Sequence, residues 1–201
     1  MKKKIHTLRK EHPAWGHDKP TFQIAIDGGV SILGVSIWRD GELVKGGPIQ
    51  FSKEPLIARS SYHIRSAVVA AIDEKQFDDG SEASEFFRFA SEVVIEEPMV
   101  VAGWTKDPES LIQLAITVGC LIWYCESRGA KVETTKPQPW KGQLSKEITR
   151  QRVIKKLSEV EASRVELPSA AGLEHNVIDG VGIGLWAFTN RWKGQTPRRR
   201  K

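Results

Sequence analysis

The stretch from Ile24 to Trp38 constrains this chain more than any other. Ile24-Ala25-Ile26 is a short apolar strand that ends at Asp27. Gly28-Gly29 then lets the chain turn, and Ile32-Leu33-Gly34-Val35-Ser36-Ile37-Trp38 carries it back as a second strand. Such a chain builds a sheet and sets a carboxylate at the end of a buried strand. A carboxylate there is costly unless a cation or a hydrogen-bond donor meets it. Asp27 is therefore the first candidate for a functional site, although an Asp in that place can also simply hold a turn.

The rest of the chain alternates strands with helices. Residues 22–27, 31–39 and 42–51 have strand character, with Arg39-Asp40-Gly41-Glu42 as a hairpin turn. Residues 58–76 show helical spacing of Ile64, Val68, Ala71 and Ile72, and residues 84–90 read as a short helix or turn. Val93-Val94-Ile95 is continuously apolar, as in a central strand covered on both faces. Residues 108–127 read as a long apolar helix opened by Asp107 and Pro108. A strand over 130–135 and a basic amphipathic helix over 145–160 follow. The last element, 175–192, reads either as a hairpin turning at Asp179-Gly180 or as a Gly-rich helix packed closely on a sheet. The whole is an α/β pattern with a mixed sheet flanked by helices.

Two more acidic positions join Asp27. Glu96 and Glu97 follow the apolar strand directly, and because consecutive strand residues face opposite ways, only one of them faces any given site. Glu97 taken alone reads as an exposed or ion-paired strand end. Asp179 lies inside an apolar run, where an unpaired carboxylate is heavily penalised. If that run is helical, Asn176 and His175 share its face three and four residues earlier. Hard oxygen ligands from separate elements suit Mg²⁺ or Mn²⁺. Two such ions roughly 3.5–4 Å apart can activate a water and stabilise the leaving oxygen of a phosphodiester.

Charge points to a polyanionic partner. The 201 residues carry 30 Lys and Arg against 25 Asp and Glu, with basic groups at both ends and between Lys136 and Lys156. Neutralised phosphates release counterions, so such clusters favour nucleic acid, and Lys136, Lys141, Lys146 and Arg150 are the candidates for backbone contacts. Trp140 among them is a candidate for stacking on an unpaired base, or for the core. Residues 1–20 and 193–201 read as basic arms around a domain at 21–192. No apolar run reads as a membrane span or signal peptide, and Cys120 and Cys125, five residues apart on one helix, are not a disulfide pair. A cytoplasmic protein with no membrane partner is the expectation.

These residues carry a resemblance. Ile24-Ala25-Ile26-Asp27-Gly28-Gly29 with Gly34-Val35, Val94-Ile95-Glu96, the apolar helix at 111–125 and Asp179-Gly180-Val181-Gly182-Ile183-Gly184 resemble the RuvC-type Holliday junction resolvases, over about residues 22–190. The resemblance implies a ribonuclease H-like fold and a helix rather than a hairpin at 175–192. It places the family's glutamate on Glu96, its last aspartate on Asp179 and dimerisation on the 111–125 helix. The sequence departs from the family at Asn176, where Asp or His is usual, which leaves His175 and Asn176 as alternative fourth groups. A divergent, phage-type member acting in the cytoplasm of a bacterial or phage-infected cell fits these departures.

The resulting expectation is a homodimeric, Mg²⁺- or Mn²⁺-dependent crossover junction endodeoxyribonuclease with two ions per active site. It would nick paired strands of four-way DNA junctions in recombination and repair. Its catalytic set would be Asp27, Glu96, Asp179, His175 and Asn176, with metal held by Asp27, Glu96, Asp179 and Asn176. Two alternatives stand beside it. One is a non-catalytic, structure-selective DNA-binding protein with a degenerate site. The other is an actin- or sugar-kinase-like phosphotransferase, for which the chain lacks a second Gly-rich phosphate motif.

Overall fold

The hairpin between the second and third strands forms on Asp40 and Gly41, whose φ angles of 53° and 82° are both left-handed. An Asp-Gly pair accepts that conformation and matches the twist of the strands it joins. In the computed structural model, residues 21–51, 61–99 and 108–192 are described. The basic arms, Trp15 and Asp107 lie outside those residues.

The strands are β1 (Phe22–Gly28), β2 (Ile32–Arg39), β3 (Glu42–Gln50), β4 (Ala90–Glu96) and β5 (Lys131–Thr135). They form one sheet in the order β3-β2-β1-β4-β5. β1–β3 run antiparallel, while β4 pairs parallel with β1 and β5 parallel with β4. This is the mixed sheet of a ribonuclease H-like fold. The outer edge of β3 is partly covered, since Gly46 exchanges backbone hydrogen bonds with Arg164 and Glu166.

The helices are α1 (Ser61–Glu74), α2 (Ala83–Arg88), α3 (Pro108–Glu126), α4 (Pro137–Lys141), α5 (Lys146–Lys156), α6 (Glu159–Ser163) and α7 (Glu174–Asn190). Strand alternation sorts them into two layers. Ile24, Ile26, Val93 and Ile95 point to one face and form a core with Val68 and Ile72 of α1 and Val118, Leu121 and Tyr124 of α3. Ala25 and Val94 point to the other, where they meet Ile178, Val181 and Ile183 of α7 and Val153 of α5. Among the described residues α3 alone is long and apolar enough to span a membrane by length and composition. The interruptions at Gln113 and Thr117 lie on its buried side. Cys120 and Cys125 are free thiols.

The structure revises the sequence reading in two places and decides between its alternatives in a third. The helix expected over 145–160 is two helices, because Ser158 caps a new one: its Oγ accepts from the Glu161 backbone while Glu161 reaches back to the Ser158 N–H. A short helix, α4, opens at Pro137 and stops at Gly142 with φ 66°, where no element was expected. Residues 174–190 are helical and the hairpin alternative is excluded. The glycines are tolerated because α7 lies backbone to backbone on β2. A Cβ at Gly180 would stand 2.3 Å from the Gly34 carbonyl oxygen, and one at Gly34 only 1.7 Å from that of Asn176. Ser36 Oγ seals the contact by donating to the Gly180 carbonyl at 2.8 Å.

Candidate active site

Alternation along β1 and β4 decides where the acids point. Asp27 follows Ala25, and Glu96 follows Val94, on the α7 side of the sheet. Both stand at the C-terminal ends of adjacent parallel strands. α7 crosses that side and brings Asp179 to them. Asp27 and Asp179 are only 7% and 5% exposed, and Glu96 beside them is half-buried. Glu97 faces away, where its Oε1 accepts from Thr134 Oγ1 at 2.6 Å.

Three neutral or cationic groups thread between the carboxylates. Asn176, three residues before Asp179, donates its Nδ2 to Asp27 Oδ2 at 3.0 Å. Trp140 on α4 donates its indole Nε1 to Glu96 Oε2 at 2.8 Å. The ammonium of Lys141, the next residue, is paired with Asp179 Oδ2. The sequence offers Lys141 as a DNA-contacting residue and Trp140 as either a base-stacking or a core residue, and it gives neither a contact with the acids. One signal was available: a strand parallel to the one carrying Glu96 delivers the residues after it to the same end of the sheet.

The balance of charge is unfavourable. One ammonium faces three carboxylates, and burial followed by repulsion from Glu96 and Asp179 raises the Asp27 carboxyl well above its usual range. Burial pushes Glu96 up to about 7 against the opposing pulls of Trp140 and Lys141. The donors are hard oxygens carrying excess negative charge, a set that suits a divalent cation such as Mg²⁺. With Lys141 and Asn176 among them, however, the described residues gather no three His, Cys, Asp or Glu side chains around one metal-sized point.

The remaining candidates sit beside this corner. His175 is half-buried and lines a cleft with Asp179, Glu174, Lys146 and Arg150, between the start of α7 and α5. Burial, then the Lys146 charge, lowers its pKa. Arg150 is paired with Glu174, while Lys146 is exposed to solvent. Lys136 is exposed at the start of α4. The structure thus brings Lys141, Lys146, Arg150 and Trp140 to the acidic corner and its adjoining cleft.

No protein-family model matches the chain, and no curated protein does. Solved structures do match. The chain is similar to Thermus thermophilus RuvC in complex with a Holliday junction substrate, at 18% identity and a TM-score of 0.56, over 88% of this chain and 98% of that one. A structure of Thermus thermophilus RuvC alone matches at 18% identity and a TM-score of 0.49, over 83% and 95% of the two chains. The yeast mitochondrial Holliday junction resolvase Ydc2 matches at 13% identity and a TM-score of 0.45, over 84% and 79%. The described chain has the ribonuclease H-like fold seen in RuvC.

Proposed function

We propose that this protein is a metal-dependent, structure-selective endonuclease that resolves four-way DNA junctions by paired nicking. One observation carries the reading: Asp27, Glu96 and Asp179 come from two strand ends and a helix to one buried corner of a ribonuclease H-like fold, with charge that a single lysine does not balance. Asp27, Glu96 and Asp179, with Asn176, would hold Mg²⁺ or Mn²⁺, two ions per site, whose chemistry is to activate a water and stabilise the leaving oxygen of a phosphodiester.

The protein's own residues do the positioning. Asn176 orients Asp27, and Trp140 orients Glu96, through the hydrogen bonds described above. Burial, then the Lys146 charge, favours the neutral form of His175, an imidazole that can accept a proton at the rim of the site. Lys136, Lys146 and Arg150 supply cations for backbone phosphates, which gives affinity without base preference, while Lys141 is engaged with Asp179. Two symmetric sites are needed to cut two symmetry-related strands, and α3 offers the face for a homodimer. Its Ile112 and Trp123 are 60% and 45% exposed, and the Arg65 guanidinium lies 3.6 Å from the Trp123 ring centroid.

The test is cleavage of a synthetic four-way junction. The wild-type protein is expected to cut it with Mg²⁺, and Asp27→Asn to bind it without cutting. Cutting by Asp27→Asn at the wild-type rate would refute this site. Binding with no cleavage under any divalent metal would favour the non-catalytic DNA-binding reading. ATP hydrolysis without DNA would favour a phosphotransferase.

A further inference from the structure

Lys141 pairs with Asp179, and its charge also bears on Asp27 and Glu96. Its side chain is only 20% exposed. It comes from α4, whose position is fixed by the preceding residue as well as by this ion pair. The Trp140 indole fits against Gly182, where a Cβ would stand 2.6 Å from Trp140 Cζ3. Its Nε1 meanwhile donates to Glu96 Oε2 at 2.8 Å. Gly142, with φ 66°, ends the helix directly after Lys141. The main chain at residue 141 is thus held at the corner by contacts that do not involve the ammonium. The side chain is a four-carbon stem with freely rotating bonds. Its Nζ lies 5.2 Å from the Trp140 ring centroid, and Lys141 also lines a cleft of about 200 Å³ beside α5 and α7. The stem has room to swing.

A divalent cation and this ammonium compete for the same oxygens. Asp179 Oδ2 is taken by Lys141 and Asp27 Oδ2 by the Asn176 amide, and the acids are not gathered around one metal-sized point among the described residues. Two positive charges a few ångströms apart between buried groups also repel each other strongly. We propose that Lys141 is a resident counter-ion: it holds the cation position in the metal-free protein, leaves Asp179 when Mg²⁺ or Mn²⁺ binds, and then offers its charge to a backbone phosphate. The empty corner is thereby spared the full repulsion of unpaired carboxylates. Metal affinity is lower than the acids alone would give, because an ion pair has to be broken first. Phosphate engagement by Lys141 becomes conditional on metal loading, so one lysine serves two partners in turn.

The proposal rests on the metal-dependent nuclease reading, and two measurements made without DNA separate them. In the first, the full-length protein is titrated with Mn²⁺ and the free ion is followed by electron paramagnetic resonance. Lys141→Met, which keeps the length of the stem and removes the charge, is expected to bind Mn²⁺ about tenfold more tightly than wild type. Lys141→Arg, which keeps the charge, is expected to show no such gain. Equal or weaker binding by Lys141→Met, or a gain as large in Lys141→Arg, would overturn the counter-ion role. In the second, the unaltered protein is acylated with trace acetic anhydride and each lysine is quantified by mass spectrometry. Lys141 is expected to react several-fold faster in Mg²⁺ sufficient to displace bound Mn²⁺ than in EDTA, while the exposed Lys146 reacts equally in both. An unchanged Lys141 rate would overturn the exchange, whereas Mn²⁺ binding and junction cleavage by the wild type would keep the nuclease reading. Because this labelling needs no variant, it decides the matter even if Lys141→Met folds poorly. A wild-type protein that neither takes up Mn²⁺ nor cuts junctions would overturn the two together.

Discussion

Two buried charged clusters sit in this small fold, and they are built in opposite ways. At the outer edge of the sheet, Lys45 on β3 meets Glu166 at 2.8 Å and Asp79 at 3.3 Å, and Lys75 at the end of α1 meets Glu166 at 3.2 Å. Cations and carboxylates are matched there. Burial alone would raise the Glu166 carboxyl, but hydrogen bonds from Lys45, the Asp78 backbone and Lys75 outweigh it and hold it below its ordinary range. At the other cluster, Asp27, Glu96 and Asp179 share only Lys141, and burial with mutual repulsion drives the first two carboxyls upward. The first arrangement ties segments together. The second stores unfavourable charge in the folded state, as expected where a ligand cation or a reaction is to be accommodated.

The contrast can be broken by mutation, the largest effect first. Asp179→Asn, taken as removal of a proposed metal ligand, should lower junction cleavage by about 10³-fold while binding measured in EDTA changes little. Equal loss of both would show that Asp179 acts in folding or binding rather than in chemistry. Glu166→Ala leaves Lys45 buried without its main partner and should cost about 3 kcal/mol in urea unfolding. A loss below about 1 kcal/mol would mean that Asp79 alone satisfies Lys45.

Acid should then separate the clusters further. Because the folded Glu166 carboxyl titrates below its ordinary 4.5, it contributes stability that is full above that pH and fades as pH falls through the folded value. Wild type should therefore lose stability below about pH 4.5 more steeply than Glu166→Gln, as read from denaturation midpoints across that range. The smallest effect has the opposite sign. Asp27→Asn removes one repelled charge and should raise stability by about 1 kcal/mol in metal-free buffer, even though it is expected to abolish cutting. A destabilised Asp27→Asn protein would indicate that Lys141 already neutralises the corner.

Much of this was legible in the residues, for identifiable reasons. Strand alternation narrowed the β4 acid to one of Glu96 and Glu97, the resemblance chose Glu96, and the Asp40-Gly41 turn fixed the first hairpin. The helix at 174–190 was not decidable from local propensity, because its glycines argue against helix until β2 is in place to pack on them. The sequence leaves Trp140 between surface and core and reads Lys141 as one of a run of basic residues, because no local pattern there points to the acids. Only the parallel pairing of β5 beside β4 turns that segment back onto Glu96 and Asp179. The matched cluster at Glu166 was not foreseen at all. Its partners lie 88 or more residues away and show no shared motif.

The backbone seam between Gly34 and Gly180 has a consequence for how the site can vary. Two main chains in direct contact leave no side chain between them to be exchanged for a larger or smaller one. The seam behaves as a machinist's datum, from which the height of Asp179 above β1 is measured, one residue from Gly180 and less than a turn beyond Asn176. Cores elsewhere in the fold can be repacked without moving that reference. The surrounding elements are free to vary in sequence while the carboxylate on α7 keeps its place over the strand ends.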